Sequence, residues 1–314
     1  MFTLLAKKTS STWVLEGDIK SCFDRISHEW LMNNIQTDKR ILKRFLKAGF
    51  VFNERLFPNE EGTPQGGVIS PTLANMTLNG METCIREHFG KNSKVNIVRY
   101  ADDFVLTAPT KERAMEAKEV LVAFLGERGL ELSEEKTLVT HIDDGFNFLG
   151  WEFRKYKGKL LIKPSNDSIR SAVQKIRDVV LGKGKALSQD EMISILNPIL
   201  MGWTNYHKTT VSNEAFRQVG EQLFHIVKKW ALRRHRKKGK WRVMDRYWHR
   251  KGTRKWVFRT DENELLDVKN VKIRRHIKVR KSLNPYIDIE YLEMRKALNK
   301  VELERGYRDK SIAM

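Results

Sequence analysis

Apolar positions follow two different periods along this chain. In the first half, short runs that alternate or cluster as strands do are interleaved with helical stretches; in the second half, three- and four-residue spacing dominates. TWVLEGDIKS (12–21) predicts a strand that ends in an acid, and RISHEWLMNNI (25–35) predicts a helix. GTPQGGVISP (62–71), with three glycines and two prolines, predicts a loop. Leu73, Met76, Leu78, Met81, Cys84 and Ile85 fall at helical spacing in one stretch, 72–89. VNIVRY and FVLTAP bracket Asp102 and Asp103 as the two strands of a hairpin. An amphipathic helix follows over 111–129, closed by Gly129. FNFLGWEF (146–153) and KLLIKP (159–164) predict a second hairpin around Lys157-Gly158.

Beyond Pro164 the pattern turns helical. Ile169, Val173, Ile176 and Val180 share a face, and SQDE (188–191) reads as a capping box ahead of MISILNPIL. Phe216, Val219, Leu223, Ile226, Val227 and Trp230 form a further stripe. Charge and glycine thicken at LRRHRKKGKWR (232–242), which suggests a break before a small basic module. The fold class expected is α+β with antiparallel strands, followed by an α-helical region. The divisions expected are 1–155, 156–235 and 236–314.

Composition sharpens this picture in two ways. With 40% hydrophobic and 31% charged residues, and no apolar run near the roughly 20 residues that span a bilayer, the chain reads as globular, with no membrane partner. Its N-terminus does not resemble a secretory signal, and Cys22 and Cys84 are too few for a disulfide framework or a cysteine-based zinc site, so a reducing, cytoplasmic compartment is expected. The formal charge of +20 is unevenly placed: residues 1–150 carry 19 Lys+Arg against 21 Asp+Glu, leaving 40 against 18 for the remainder. A strongly basic half interleaved with Trp and Tyr suits a polyphosphate partner; a solvated basic surface or a membrane-surface patch is the plainer alternative.

Asp102 and Asp103 sit between two apolar runs, where an unpartnered buried carboxylate costs several kcal/mol. Asp18 also ends an apolar strand. Three acids from neighbouring strands make a hard-oxygen site suited to Mg²⁺, which takes one or two protein carboxylates plus substrate phosphates. Two such ions can hold the attacking and leaving oxygens of a phosphoryl displacement. Taken singly, the pair reads as a polar turn and Asp18 as a helix cap.

The motifs GDIKSCFDRISH (17–28), GTPQGGVISPTLANMTLNGME (62–82), RYADDFV (99–105), GLELSEEKT (129–137) and FNFLGWEF (146–153), in this order, resemble the bacterial group II intron reverse transcriptase/maturases. ILMGWTNYHK (199–208) resembles that family's maturase or thumb region. The resemblance covers about 12 to 290. It implies a polymerase palm, an antiparallel sheet with helices on one face, then a helical thumb and a basic DNA-binding segment. It implies RNA-directed DNA polymerisation with two Mg²⁺ ions, and intron RNA, a DNA target or primer, and dNTPs as partners. Asp18 and Asp102 would ligate both metals, with Asp103 in support. Phe23 would sit against the sugar and exclude a 2′-hydroxyl, or serve as a core residue. Gln65 would contact the incoming nucleotide and template, Gly66 would let the backbone approach, and Tyr100 opens the YADD box. Ser70-Pro71 would start the next helix. Lys136 would protonate the pyrophosphate leaving group, or be a surface lysine. FNFLGW would grip the primer end. Trp203 and Tyr206 would be core anchors or stacking platforms. Arg233, Arg234, Arg236, Lys237, Lys238, Lys240 and Arg242 would contact nucleic-acid phosphates.

The resemblance is incomplete at both ends. Only about 12 residues precede the Asp18 strand, where the family has fingers, and no Cys follows Cys84, where many members have an endonuclease. The expectation is a chain lacking both, and a splicing cofactor without chemistry of its own is the second reading. A retron or diversity-generating reverse transcriptase fits less well with GWTNYH and the basic tail, and a viral RNA polymerase less well with Phe23 and YADD.

Overall fold

The computed structural model describes residues 1–52, 55–57, 61–63, 66–274, 284 and 287–297. The chain divides into two compact units, Met1–Ser168 and Ile169–Met314.

The first unit contains, in order, α1 (Phe2–Leu5), β1 (Trp13–Gly17), α2 (Cys22–Arg25), α3 (His28–Asn34), α4 (Lys39–Leu46), β2 (Phe50–Phe52), β3 (Arg55–Phe57), α5 (Ser70–Leu78), α6 (Met81–Phe89), β4 (Asn96–Tyr100), β5 (Asp103–Ala108), α7 (Lys111–Gly126), β6 (Leu138–His141), β7 (Phe146–Phe148), β8 (Trp151–Tyr156) and β9 (Lys159–Pro164). Its main sheet is antiparallel, in the order β4-β5-β1-β6. The period of two sorts the strand residues to opposite faces. Leu15, Phe104, Leu106 and Ala108 join the core under α5–α7, as the sequence predicted for a palm-like layer. Val14 and Val105 point the other way and pack with Phe146, Phe148, Phe153 and Leu160 of a second sheet, β7-β8-β9. Helices therefore cover one face and a small sheet covers the other.

Three predicted elements are each divided in two. The helix expected over 25–35 is broken at Ile26-Ser27, where the Ser27 hydroxyl accepts from the Trp30 N–H at 3.1 Å and caps α3. The stretch 72–89 is two helices, because Asn79 is extended and Gly80 takes φ +95°. FNFLGWEF is two strands, with Leu149 and Gly150 both left-handed in the turn between them. Lys157 and Gly158 adopt the same pair of left-handed conformations between β8 and β9, as expected for a two-residue hairpin. Pro71 lies in the first turn of α5, where its missing N–H is harmless.

The second unit holds α8 (Asn166–Arg177, entered from the first unit), α9 (Gln189–His207), α10 (Asn213–Arg234), α11 (Lys240–Tyr247), β10 (Trp248–Lys251) and β11 (Arg254–Phe258). The capping box at α9 is formed: the Ser188 N–H donates to Glu191 Oε2 at 2.7 Å and the Glu191 N–H to Ser188 Oγ at 3.3 Å. Ile176 and Val180 pack with the α10 stripe, from Phe216 to Trp230. Val243, Met244, Trp248 and Phe258 belong to this same core, so the residues on either side of the predicted break at 235 share one hydrophobic interior. Among the described residues no helix is long and apolar enough to cross a membrane.

Candidate active site

The pairing of β1 with β5 sets Gly17 against Phe104, so the next residues along, Asp18 and Asp103, emerge opposite one another at the same end of the sheet. Asp103 in turn pairs with Tyr100 across the hairpin, which leaves Ala101 and Asp102 as a two-residue turn. Ala101 holds φ +53°, and Ser21, three residues after Asp18, holds φ +46°. Each such non-glycine residue stores strain of order 1–3 kcal/mol that the surrounding structure must hold in place. Both lie beside the carboxylates.

The segment that carries Lys136 docks on the same strand end. Leu132 bridges Ile19, and the Ser133 N–H donates to the Asp18 carbonyl at 2.8 Å. The Lys136 ammonium donates to Asp18 Oδ2 at 3.0 Å. This bond, with the nearby Asp103 carboxylate, holds Lys136 above the ordinary lysine value, so it is fully cationic at neutral pH. Asp103 is raised from its ordinary value by burial, then by the Asp102 and Asp18 carboxylates; Lys136 opposes the shift. The buried Cys22 thiol is pushed up to about 12 by burial, with the Asp102 and Asp18 charges adding to it, so it stays protonated at neutral pH. The structure thus gathers Asp18, Asp102, Asp103 and Lys136.

Among the described residues no group of three His, Cys, Asp or Glu side chains is arranged to hold a metal ion by itself. The donor set nevertheless fits Mg²⁺. That ion dehydrates reluctantly and binds through one or two carboxylates with substrate phosphates completing its shell. Mutual repulsion that already raises Asp103 is relieved by a cation, the role Lys136 fills on Asp18.

Phe23 packs, half-buried, against the core of the first unit. Its carbonyl accepts from the Thr63 N–H at 2.6 Å, and the Ile26 carbonyl from the Gly62 N–H at 3.0 Å, so the GTPQGG loop starts on the backbone of α2. Gly62 is obligatory there: φ is +71°, and a Cβ would lie 2.4 Å from the Phe23 carbonyl oxygen. Gly66 takes φ +87° in open space. Gln65 lies outside the described residues. Tyr100 is exposed at the hairpin end.

Two further residues shape this site, and hydrophobic periodicity does not single them out. A Cβ on Gly17 would meet the Phe104 ring at 2.0 Å, so glycine is what lets β1 close on β5 just before Asp18. The Arg99 guanidinium donates to the Ala101 carbonyl at 2.8 Å and to Asn75 Oδ1 of α5 at 3.0 Å, bracing the strained turn. The adjacent strand-end glycine and the arginine inside RYADD are the sequence signals that could have found them.

In the second unit Arg233, Arg236, Lys237, Lys238, Lys240 and Arg242 are exposed around the end of α10 and the start of α11. Arg234 differs: its guanidinium donates to the Lys185 and Leu187 carbonyls at 3.3 and 2.7 Å and lies 5.0 Å from the Trp230 ring centroid. Trp203 packs against the helical core, beside Phe216, and Tyr206 is exposed.

Comparison with known proteins gives two family matches: reverse transcriptase (RNA-dependent DNA polymerase) over residues 2–153, and group II intron, maturase-specific domain, over 169–248. Group II intron-encoded protein LtrA of Lactococcus lactis subsp. cremoris is 28% identical over 289 aligned positions, covering 62% of this chain and 48% of LtrA. Protein YkfC of Escherichia coli is 34% identical over 179 positions, covering 46% of this chain and 47% of YkfC. The chain spans about half the length of these relatives. The solved apo telomerase of Candida tropicalis is similar with a TM-score of 0.44 at 14% identity, over 74% of this chain and 44% of that one.

Proposed function

Since the chain belongs to the reverse transcriptases that carry a group II intron maturase-specific domain, we propose that it extends DNA primers on intron RNA and binds that RNA for splicing. The observation that carries the reading is the strand register that sets Asp18 opposite Asp103 with Asp102 in the turn between β4 and β5, all within the reverse transcriptase match. Asp18 and Asp102 would hold two Mg²⁺ ions, with Asp103 in support. Bound there, the ions would neutralise the triphosphate and favour ionisation of the primer hydroxyl.

The chain's own residues do the positioning. Arg99 fixes the turn that presents Asp102. Phe23, anchored through Thr63 and Gly62, would meet the sugar of a dNTP, with Gln65, Gly66 and Tyr100 around it. Lys136, cationic beside Asp18, would meet the leaving pyrophosphate once Asp18 is engaged elsewhere. Residues 1–155 would serve as palm, 156–235 as thumb and 236–314 as the DNA-binding segment, in a bacterial cytoplasm.

The test is primer extension on an RNA template with this chain and with Asp102→Ala. The expected loss is at least about 10³-fold, the scale of several kcal/mol of metal-borne stabilisation. Equal extension by both proteins sinks the polymerase reading. The maturase-specific match and the basic second half favour an RNA-binding splicing role alongside it. If that role is separate, Asp102→Ala supports splicing at low Mg²⁺ as well as the unaltered chain does.

A further inference from the structure

A cavity of about 590 Å³ opens in the second unit between α10, α11 and the β10–β11 hairpin. Its lining is aromatic. Trp248 and Phe258 are buried and meet edge to face at 5.0 Å, and Phe224 stands 5.8 Å from Trp248. Trp241 and Trp256 are different: they are 68% and 46% exposed, come from two separate elements, and bring their ring centroids within 6.1 Å with the planes tilted by 40°. The core needs neither indole, and a pair of adjacent exposed tryptophans is an unusual use of apolar area.

The charge around them has one sign. Lys240 precedes Trp241 and Lys255 precedes Trp256, both exposed, and Lys228 Nζ lies 5.7 Å from the Phe224 ring centroid. The one acid lining the cavity, Asp267, is paired with Arg254, which also holds Glu264. No described carboxylate pairs with Lys228, Lys240 or Lys255. A ligand that satisfies both features presents a flat π-face and carries anionic groups on either side of it.

We infer that Trp241 and Trp256 clasp one unpaired base of single-stranded RNA, with Lys240 and Lys255 on the flanking phosphates. The inference rests on the reading of this chain as an RNA binder and extends the role of the 236–314 segment beyond DNA, since the maturase-specific match runs through Trp241 to residue 248. A sandwiched ring needs two contacts of about 3.5 Å, so the indoles must part by about an ångström and lose most of their 40° tilt, both of which side-chain rotation at two exposed positions supplies.

The experiment measures binding of the full chain to a 12-nucleotide unstructured RNA and to an abasic strand of the same length, by fluorescence anisotropy at fixed salt. Trp241→Ala and Trp256→Ala are each expected to weaken RNA binding roughly tenfold, the size of one lost base stack, and to leave the abasic strand unaffected. Trp241→Phe and Trp256→Phe retain most of the affinity, and the salt slope is unchanged. Thermal melts check that the exposed positions leave the fold intact. Equal losses on RNA and abasic strand, no loss on RNA, or a loss confined to anionic phosphatidylglycerol vesicles each overturn the clasp. If the unaltered chain binds no RNA, the wider reading falls with it; if it binds and the alanine variants match it, the clasp alone falls.

Discussion

The carboxylate end of the first unit and the cationic surface of the second are built on opposite principles. Asp18, Asp102 and Asp103 are placed by one strand register, two left-handed residues, a glycine that a ring overlies and an arginine tied to a turn carbonyl. All seven Lys and Arg residues from 233 to 242 are exposed on helix ends and the loop between them, and among them only Arg234 is tied to other described residues by side-chain hydrogen bonds. Chemistry at a phosphorus needs atoms fixed to fractions of an ångström. A polyanion needs charge density, which a solvated cluster supplies whatever its rotamers. One region should therefore fail at a single substitution, and the other should fail by degrees.

The largest test of that contrast sets one change against four. Asp18→Ala should cost at least about 10³-fold in primer extension while intron RNA affinity stays within about twofold, since phosphate contacts carry it. Alanine at Arg233, Arg236, Lys237 and Lys238 together should flatten the slope of log affinity against log salt by about 3–4, near one per phosphate contact. Any one of the four alone should lower affinity only modestly. If Arg233→Ala by itself abolishes binding, the second region is also a precise site and the comparison breaks.

The same contrast decides what the sequence could tell. Two adjacent acids between apolar runs have few structural roles, so Asp102 and Asp103 are legible in the sequence, and Asp18 is legible by the same logic one strand away. Gly17 and Arg99 did not stand out, because their importance lies in a 2.0 Å clash and a 2.8 Å bond to partners up to 87 residues distant or across a turn. Periodicity averages over a window, and a single cap or a single positive φ does not disturb it, so the helix breaks at Ser27 and Gly80 leave no mark in the sequence pattern. Arg234 looked like its neighbours in charge, yet its carbonyl partners come from a turn 47 residues earlier. Trp241 and Trp256 meet only once β11 has folded back beside α11.

The next effect separates the units by pH. His207 is buried beside Trp203 and Tyr206, at ring separations of 5.0 and 4.9 Å, and burial lowers it from 6.5 to about 4. Its folded value is depressed, so its contribution is complete above pH 6.5 and is lost as pH falls toward 4. At about 1.4 kcal/mol per unit, the second unit should lose at most about 3 kcal/mol over that interval. Denaturant melts of His207→Phe should show a flatter stability profile there. A profile as steep as that of the unaltered chain would assign the acid sensitivity to other groups.

Gly17→Ala acts inside the first unit. The added methyl overlaps Phe104, one residue from Asp103, and overpacking of this kind costs about 1–3 kcal/mol. Relief requires the buried Phe104 ring to shift or β1 and β5 to part at the end that carries the acids, and either disturbs Asp103, so primer extension per folded molecule should fall further than the loss of folded protein explains. Stability loss with full activity per folded molecule would show that the close approach serves the core and not the placement of Asp18.

The smallest effect has the opposite sign. Burial and the two neighbouring carboxylates raise Asp103 above 3.8, so its favourable, protonated contribution is present below that value and is lost as pH rises through the folded-state value. At neutral pH the ionised group therefore weakens the first unit, though it is exposed enough for water to screen most of the cost. Asp103→Asn should raise the melting temperature slightly at neutral pH, make no difference near pH 3, and still reduce primer extension. Acid that weakens the second unit through His207 should thus ease this corner of the first. If Asp103→Asn lowers the neutral melting temperature, then Lys136 compensates the three acids more fully than their mutual repulsion opposes them, and this end of the sheet is settled without a metal ion.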